Sequence, residues 1–163
     1  YAFDWHRAAC EYSGTAAALV RSYKFRGTRS LGPLMARVIA AGRGIDWEEA
    51  ALVPVPSRRR AIRRREFDPV GTIVDSMVRL TGSPRIDLLR RRSGSEQKAL
   101  TYQARLENAM ASFVVRSHVD VPDRAIILVD DVFTTGATLS ACAHVLLDAG
   151  ARSVGALSFA MEL

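Results

Sequence analysis

The stretch Ile126-Ile127-Leu128-Val129-Asp130-Asp131-Val132-Phe133-Thr134-Thr135-Gly136-Ala137-Thr138 constrains the fold of this chain more than any other. Four apolar residues lead into two adjacent carboxylates. A turn of small and hydroxyl residues follows and opens onto the apolar-periodic segment Thr138 to Ala149, which Gly150 stops. A run that is apolar at every position predicts a strand buried on both faces, as in parallel sheets. Acids at its C-terminal end stand where ligands bind in open α/β sheets. The first turn of a helix presents unpaired N–H groups and partial positive charge, so it binds phosphate. Gly136 lets the backbone come close to such a ligand. Thr134, Thr135 and Thr138 add hydroxyl donors, and Asp130 and Asp131 can accept hydrogen bonds from the vicinal hydroxyls of a ribose. The plainer reading, charged residues at a strand end followed by a threonine cap, suits a lone TTG better than this unbroken register.

The rest of the chain supplies the frame. Gly14 to Tyr23 and Leu31 to Ile39 carry apolar residues at helical spacing, with Leu31, Leu34, Met35, Val38 and Ile39 on one face of the second. Ala50 to Val55 reads as another buried strand. Asp68-Pro69 reads as an N-cap with Pro at N1. The helix it opens places Val70, Ile73, Val74, Met77 and Leu80 inward and closes at Gly82. Ile86 to Leu89, Ser112 to Val115, Ala125 to Val129 and Val154 to Ala160 are further strand candidates, and Leu139, Cys142, Val145 and Leu146 face inward on the helix after Thr138. Between them, Arg90 to Asn108 is polar and weakly periodic. Strands alternating with helices predict an α/β fold with a mainly parallel central sheet flanked by helices.

Charge and cysteine usage narrow the partners. With 163 residues the chain reads as one domain, and its net charge is +6. That balance favours polyanionic partners, either nucleic acid or multiply phosphorylated small molecules. The excess is local: six of the eight residues from Arg58 to Arg65 are arginine, and Arg90, Arg91 and Arg92 form a second run. A solvated face is the plain alternative for both runs. Cys10 and Cys142 belong to no CxxC pair, and reduced cytoplasm fits them best. No apolar run reaches membrane-spanning length, so membrane insertion is not expected. The chain opens on Tyr1 without an initiator Met or a signal-peptide pattern, and is expected to be a fragment of something longer. His6, His118 and His144 lack partners at metal-ligand or catalytic spacing and read as structural.

The thirteen residues from Ile126 to Thr138 resemble the phosphoribosyl pyrophosphate (PRPP) signature of type I phosphoribosyltransferases. Tyr23-Lys24-Phe25-Arg26-Gly27, Val53-Pro54-Val55-Pro56, the basic run ending near Phe67, and Gln97 and Leu100 with Arg105 and Asn108 follow in one order. Together they resemble the ComF family, proteins linked to DNA uptake and related to amidophosphoribosyltransferases. Two departures stand out: the cysteine zinc ribbon with which the family usually begins is not within these 163 residues, and the family's Arg-Gly-Phe-Asn-Gln is replaced by Arg65-Glu66-Phe67-Asp68-Pro69.

The resemblance implies a division of labour. Residues 1–45 would form a helical hood and 50–163 a core, within a single domain. Asp130 and Asp131 would contact the ribose hydroxyls, and Thr134, Thr135, Gly136, Ala137 and Thr138 would wrap the 5-phosphate. Ser57, Arg58 and Arg59 would hold pyrophosphate. A flexible flap would carry Arg92, Gln97, Lys98 and Arg105, with Arg92 and Lys98 joining the two aspartates as catalytic residues. Lys24 is a candidate for a phosphate or interface contact. Mg²⁺ is the implied cofactor, and the acceptor is left unspecified. The rival expectation is a DNA-uptake factor that binds single-stranded DNA and keeps the PRPP pocket as a sensor. A homodimer is left open.

Overall fold

The computed structural model describes residues 1–42, 44–92 and 111–162 of the chain. The order of elements is β1 (Trp5–Glu11), α1 (Gly14–Phe25), α2 (Leu31–Ala40), β2 (Ala50–Pro54), α3 (Arg59–Arg65) and α4 (Pro69–Thr81). There follow β3 (Leu89–Arg91), β4 (Phe113–Val115), β5 (Ala125–Phe133), α5 (Ala137–Asp148) and β6 (Val154–Met161). Four strands form a central sheet in the order β1-β6-β5-β2, every pair parallel. β3 and β4 form a separate antiparallel pair. This is the α/β architecture, with a parallel sheet flanked by helices, that the alternating pattern predicts.

Period-2 alternation along β5 sorts its side chains into two cores. Ile127 and Val129 pack with Val20, Tyr23, Met35, Ile73 and Met77 from α1, α2 and α4. Ile126 and Leu128 pack with Leu139, Cys142 and Leu146 of α5, and with Phe113 of β4. All four apolar residues of the strand are buried, as a doubly covered sheet requires. Each such side chain contributes roughly 1.5–3 kcal/mol by leaving water. The apolar run delivering Asp130 and Asp131 is therefore held from both sides.

α4 begins at Pro69 and ends at Gly82 in a left-handed C-cap with φ 78°. Its N-cap differs from expectation. The Asp68 side chain makes no capping bond; its Oδ1 accepts instead from Ser57 Oγ at 3.2 Å, tying the segment after β2 to the start of α4. Three other expectations shift. Leu34, Val38 and Leu80 lie on exposed faces, because each sits at the edge of an apolar stripe too wide for its contact. The strand sought at Ile86 to Leu89 lies at Leu89–Arg91. β1, whose mixed composition does not read as a strand, pairs with β6 at the sheet edge.

Candidate functional site

β2 and β5 run side by side only as far as Pro54 opposite Val129, and Val55 N–H closes the ladder on the Val129 carbonyl at 3.0 Å. β2 then leaves the sheet, while β5 continues against β6 through Asp130, Val132 and Phe133. A crevice therefore opens along the free edge of β5 beside the aspartates, at the carboxyl ends of the strands where α/β sheets bind ligands. Residues 56–58 continue from β2 where it leaves the sheet. The turn Thr134 to Gly136 continues from β5.

Strand alternation sends the two carboxylates to opposite faces. Asp131 joins the face of α1 and α4 and is 6% exposed. Lys24 Nζ, in the last turn of α1, meets Asp131 Oδ1 at 2.8 Å. The neighbouring residue explains why the lysine can be held there. Tyr23 is fully buried, and its hydroxyl donates to the Pro69 carbonyl at 2.7 Å, pinning the end of α1 to the start of α4. Burial pushes the Tyr23 phenol well above its ordinary range, so the hydroxyl keeps its proton as donor.

Asp130 is half-buried on the α5 side, and its Oδ1 accepts from the Asp131 amide at 2.8 Å. Burial raises its pKa first, and the Asp131 charge raises it further; the Asp131 amide and Lys24 act in the opposite sense. One carboxylate of the pair thus carries the ammonium, while its neighbour holds a proton more tightly than a free carboxyl does. Arg91 of β3 sits in the same electrostatic neighbourhood. Burial lowers its pKa, the Arg58 charge lowers it further, and Cys142 and Asp130 raise it. Its guanidinium lies 4.8 Å from the Phe113 ring centroid, a cation–π arrangement that fixes its direction.

The turn into α5 has the geometry of an anion cradle. Gly136 is the N-cap residue at φ 72°, a left-handed conformation that glycine adopts without penalty. Any Cβ there would lie 2.8 Å from Phe133 Cζ and against the Tyr1 ring. Thr134 and Thr135 are exposed and Ala137 is buried, its amide donating to Thr135 Oγ1 at 3.5 Å. The Tyr1 hydroxyl donates to the Thr135 carbonyl at 3.2 Å and the Ala2 amide to Ser140 Oγ at 3.0 Å, bracing the turn from outside.

Asp130 and Asp131 lie at the end of β5, Thr134 to Thr138 follow directly into α5, and Ser57 and Arg58 follow β2, which pairs with β5 as far as Pro54. Arg59 begins α3 directly after Arg58 and is exposed. Arg92 lies elsewhere. It lines an open cavity of about 460 Å³ with Phe113, His144 and Asp148. His144 and Asp148 belong to the last half of α5, whose 12 residues span about 18 Å from the phosphate turn. Arg91, which the sequence places only within a basic run and at the start of the expected flap, shares an electrostatic neighbourhood with Asp130. Gln97, Lys98 and Arg105 fall outside the described residues. Among the described residues no cluster of three His, Cys, Asp or Glu side chains could hold a metal ion.

No family profile matches the chain. Its sequence is 28% identical over 153 residues to the competence protein ComFC of Streptococcus pneumoniae, covering 94% of this chain and 66% of that protein. The chain spans just under two thirds of that relative. The allosteric regulatory enzyme of purine biosynthesis is similar to 81% of the chain at 17% identity and a TM-score of 0.49, over 25% of its own length. Hypoxanthine phosphoribosyltransferase of Trypanosoma cruzi is similar to 82% of the chain at 14% identity and a TM-score of 0.46, over 66% of its length. Among the described residues no helix is long and apolar enough to cross a membrane.

Proposed function

We propose that this ComFC-like chain binds PRPP in the crevice at the end of β5 and transfers its ribose 5-phosphate to an acceptor, releasing pyrophosphate. The observation that carries the reading is the juxtaposition, at one strand end, of a carboxylate pair, a helix-opening turn and a basic loop. Asp130 and Asp131 accept the ribose hydroxyls, and the amides and hydroxyls of Thr134 to Thr138 take the 5-phosphate. Ser57, Arg58 and Arg59, joined by Arg91, face the diphosphate. In the reaction the bond from the ribose anomeric carbon to pyrophosphate breaks, its electron pair leaving with pyrophosphate. A bond to the acceptor forms, and the acceptor gives up a proton. Fixed cations beside the leaving group stabilise the charge that develops there.

Mg²⁺ fits this reading as an ion carried largely by substrate oxygens and water, since the aspartate pair alone offers too few ligands for octahedral coordination. When bound it would neutralise the leaving group. Asp130 and Asp131 are the side chains that would orient it, directly or through the ribose hydroxyls.

Calorimetry tests the site. Asp130→Asn with Asp131→Asn should remove most PRPP affinity in a protein that still melts cooperatively, and unchanged affinity would reject it. Arg58→Ala with Arg59→Ala should weaken PRPP more than ribose 5-phosphate, which lacks the diphosphate. Equal losses would remove the pyrophosphate assignment. Release of pyrophosphate in the presence of nucleobases and amines tests turnover.

A second reading, a competence factor that handles single-stranded DNA, is favoured by α3. None of its seven residues is buried, and Arg59, Arg60, Arg63 and Arg64 are exposed along it. Such a helix suits a phosphate backbone. Loss of oligonucleotide binding in Arg60→Ala with Arg63→Ala, PRPP affinity being kept, would support it.

A further inference from the structure

A cavity of about 290 Å³ lies where the end of α1 meets the end of α3, lined by Lys24, Phe25, Arg26, Gly27, Arg64 and Arg65. Four of these six residues are cations and one is an aromatic ring. Phe25 is 66% exposed, unusual for so large an apolar side chain on a small domain. The Arg65 guanidinium stands 5.7 Å from its ring centroid, and Arg65 Nε donates to the Lys24 carbonyl at 2.8 Å. Ring and guanidinium are therefore fixed relative to one another. The Arg26 and Arg64 side chains have no ion-pair partner among the described residues. Lys24, the remaining cation, is the residue whose ammonium rests on Asp131.

We propose that this cavity binds a small planar anion, a single aromatic ring bearing a carboxylate. Each part of that ligand has a counterpart on the wall. The Phe25 face offers a stacking surface, and ring stacking of this kind is favourable in offset geometry. Arg26 and Arg64 offer planar forks that match a carboxylate in paired hydrogen bonds. The volume, near the lower end for small-molecule sites, holds one substituted ring rather than a nucleotide. Arg26 and Arg64 are exposed and hydrated in the protein alone, and an entering anion gives both guanidiniums charge-assisted hydrogen bonds. In one respect the inference rests on the PRPP reading: because Lys24 serves both the cavity and Asp131, a bound ring that also carries an amine or ring N–H is the acceptor of the ribose, its nitrogen bonding the anomeric carbon and giving up that proton. Binding itself requires no PRPP.

The test uses the whole chain at fixed ionic strength with three probes: benzoate, its neutral counterpart benzamide, and a mixed-sequence single-stranded oligonucleotide. Benzoate should shift the backbone resonances of Phe25, Arg26, Gly27 and Arg64. Benzamide should bind at least ten-fold more weakly. Phe25→Ala and Arg64→Gln, both at surface positions, should each lower benzoate affinity at least five-fold while leaving the melting temperature and PRPP affinity unchanged. Benzamide binding as well as benzoate, or benzoate binding unaffected by both substitutions, overturns the proposal. So does oligonucleotide binding that depends on Phe25 and Arg64 while benzoate shifts nothing, because the surface is then a nucleic-acid contact. Failure of the PRPP reading shows separately, as absent PRPP binding in a protein whose benzoate response is as expected. In that case the cavity stands and only its role as acceptor site falls.

Discussion

Lys24→Met removes the cation that the structure places on Asp131 and keeps most of the side chain's length and helix propensity. At 2.8 Å the direct attraction is about 6 kcal/mol for an effective dielectric constant of ~20. Desolvating the ammonium returns part of this, and with Lys24 22% exposed, solvent screens some of the remainder. A net loss of about 2–3 kcal/mol follows, at the low end for breaking a buried pair. Most of that loss is the cost of leaving Asp131, buried beside Asp130, without a counter-charge. With a urea m-value of roughly 2 kcal/mol per molar, the denaturation midpoint should fall by about 1–1.5 M. The cycle completed by Asp131→Asn isolates the pair. In the Asn background the lysine has no anion to compensate, so Lys24→Met should then cost about 0.5 kcal/mol or less. Additive effects, with a coupling under about 0.5 kcal/mol, would show that the contact is incidental and that α1 is positioned by Tyr23 alone.

Asp130 gives a pH-dependent expectation. Its pKa is raised in the native state by burial and then by the Asp131 charge, so the native state holds the proton more tightly than the unfolded chain. Its stabilising effect is complete below the ordinary carboxylate pKa of about 4 and is lost as pH rises through the elevated native value. Asp130→Asn, which cannot ionise, should therefore gain thermal stability relative to the parent between pH 5 and 9; a pH-independent difference in melting temperature contradicts this. Gly136→Ala should cost about 1–2 kcal/mol for its left-handed φ of 72°, before any clash with Phe133 and Tyr1. Its phosphate affinity should fall as the turn shifts, and a variant that melts and binds phosphate like the parent would remove the bracing role assigned to Tyr1.

What was legible in the sequence depended on how many neighbours an element has. β5 and β2 are covered on both faces, so burial demands apolar residues throughout, and the run is unmistakable. α4 announces itself by Pro69 at its first turn and Gly82 at its end. β1 is an edge strand in which Arg7, Ala9 and Glu11 are exposed and the other residues only half-buried. No strong pattern is required of it, and none is present. α3 buries none of its residues, so its arginines carry no periodicity to read. The thirteen-residue loop was readable because its strand, acids and turn are contiguous. The partnership of Lys24 with Asp131 was not, because it depends on α1 packing across the sheet. The choice between Arg91 and Arg92 turns on the register of a three-residue strand, which composition does not set.

The opposite directions of the two aspartates bear on how the fold builds its site. Adjacent residues on a strand cannot face the same core, so a pair of carboxylates at positions 130 and 131 draws on both layers of the domain. Asp131 is set by the layer of α1 and α4, through Lys24 and the Tyr23 hydroxyl on Pro69. Asp130 is set by the layer of α5, near Arg91 and Cys142. The two acids consequently reach different charge environments although only one peptide bond separates them, and a buried like-charged pair avoids being doubly ionised without a counter-charge. A ribose lying over the end of β5 would be gripped from both layers at once. Slippage of either layer against the sheet would then separate the hydroxyl contacts, so distant core positions on both faces, Leu139 as much as Met77, bear on the affinity of the crevice.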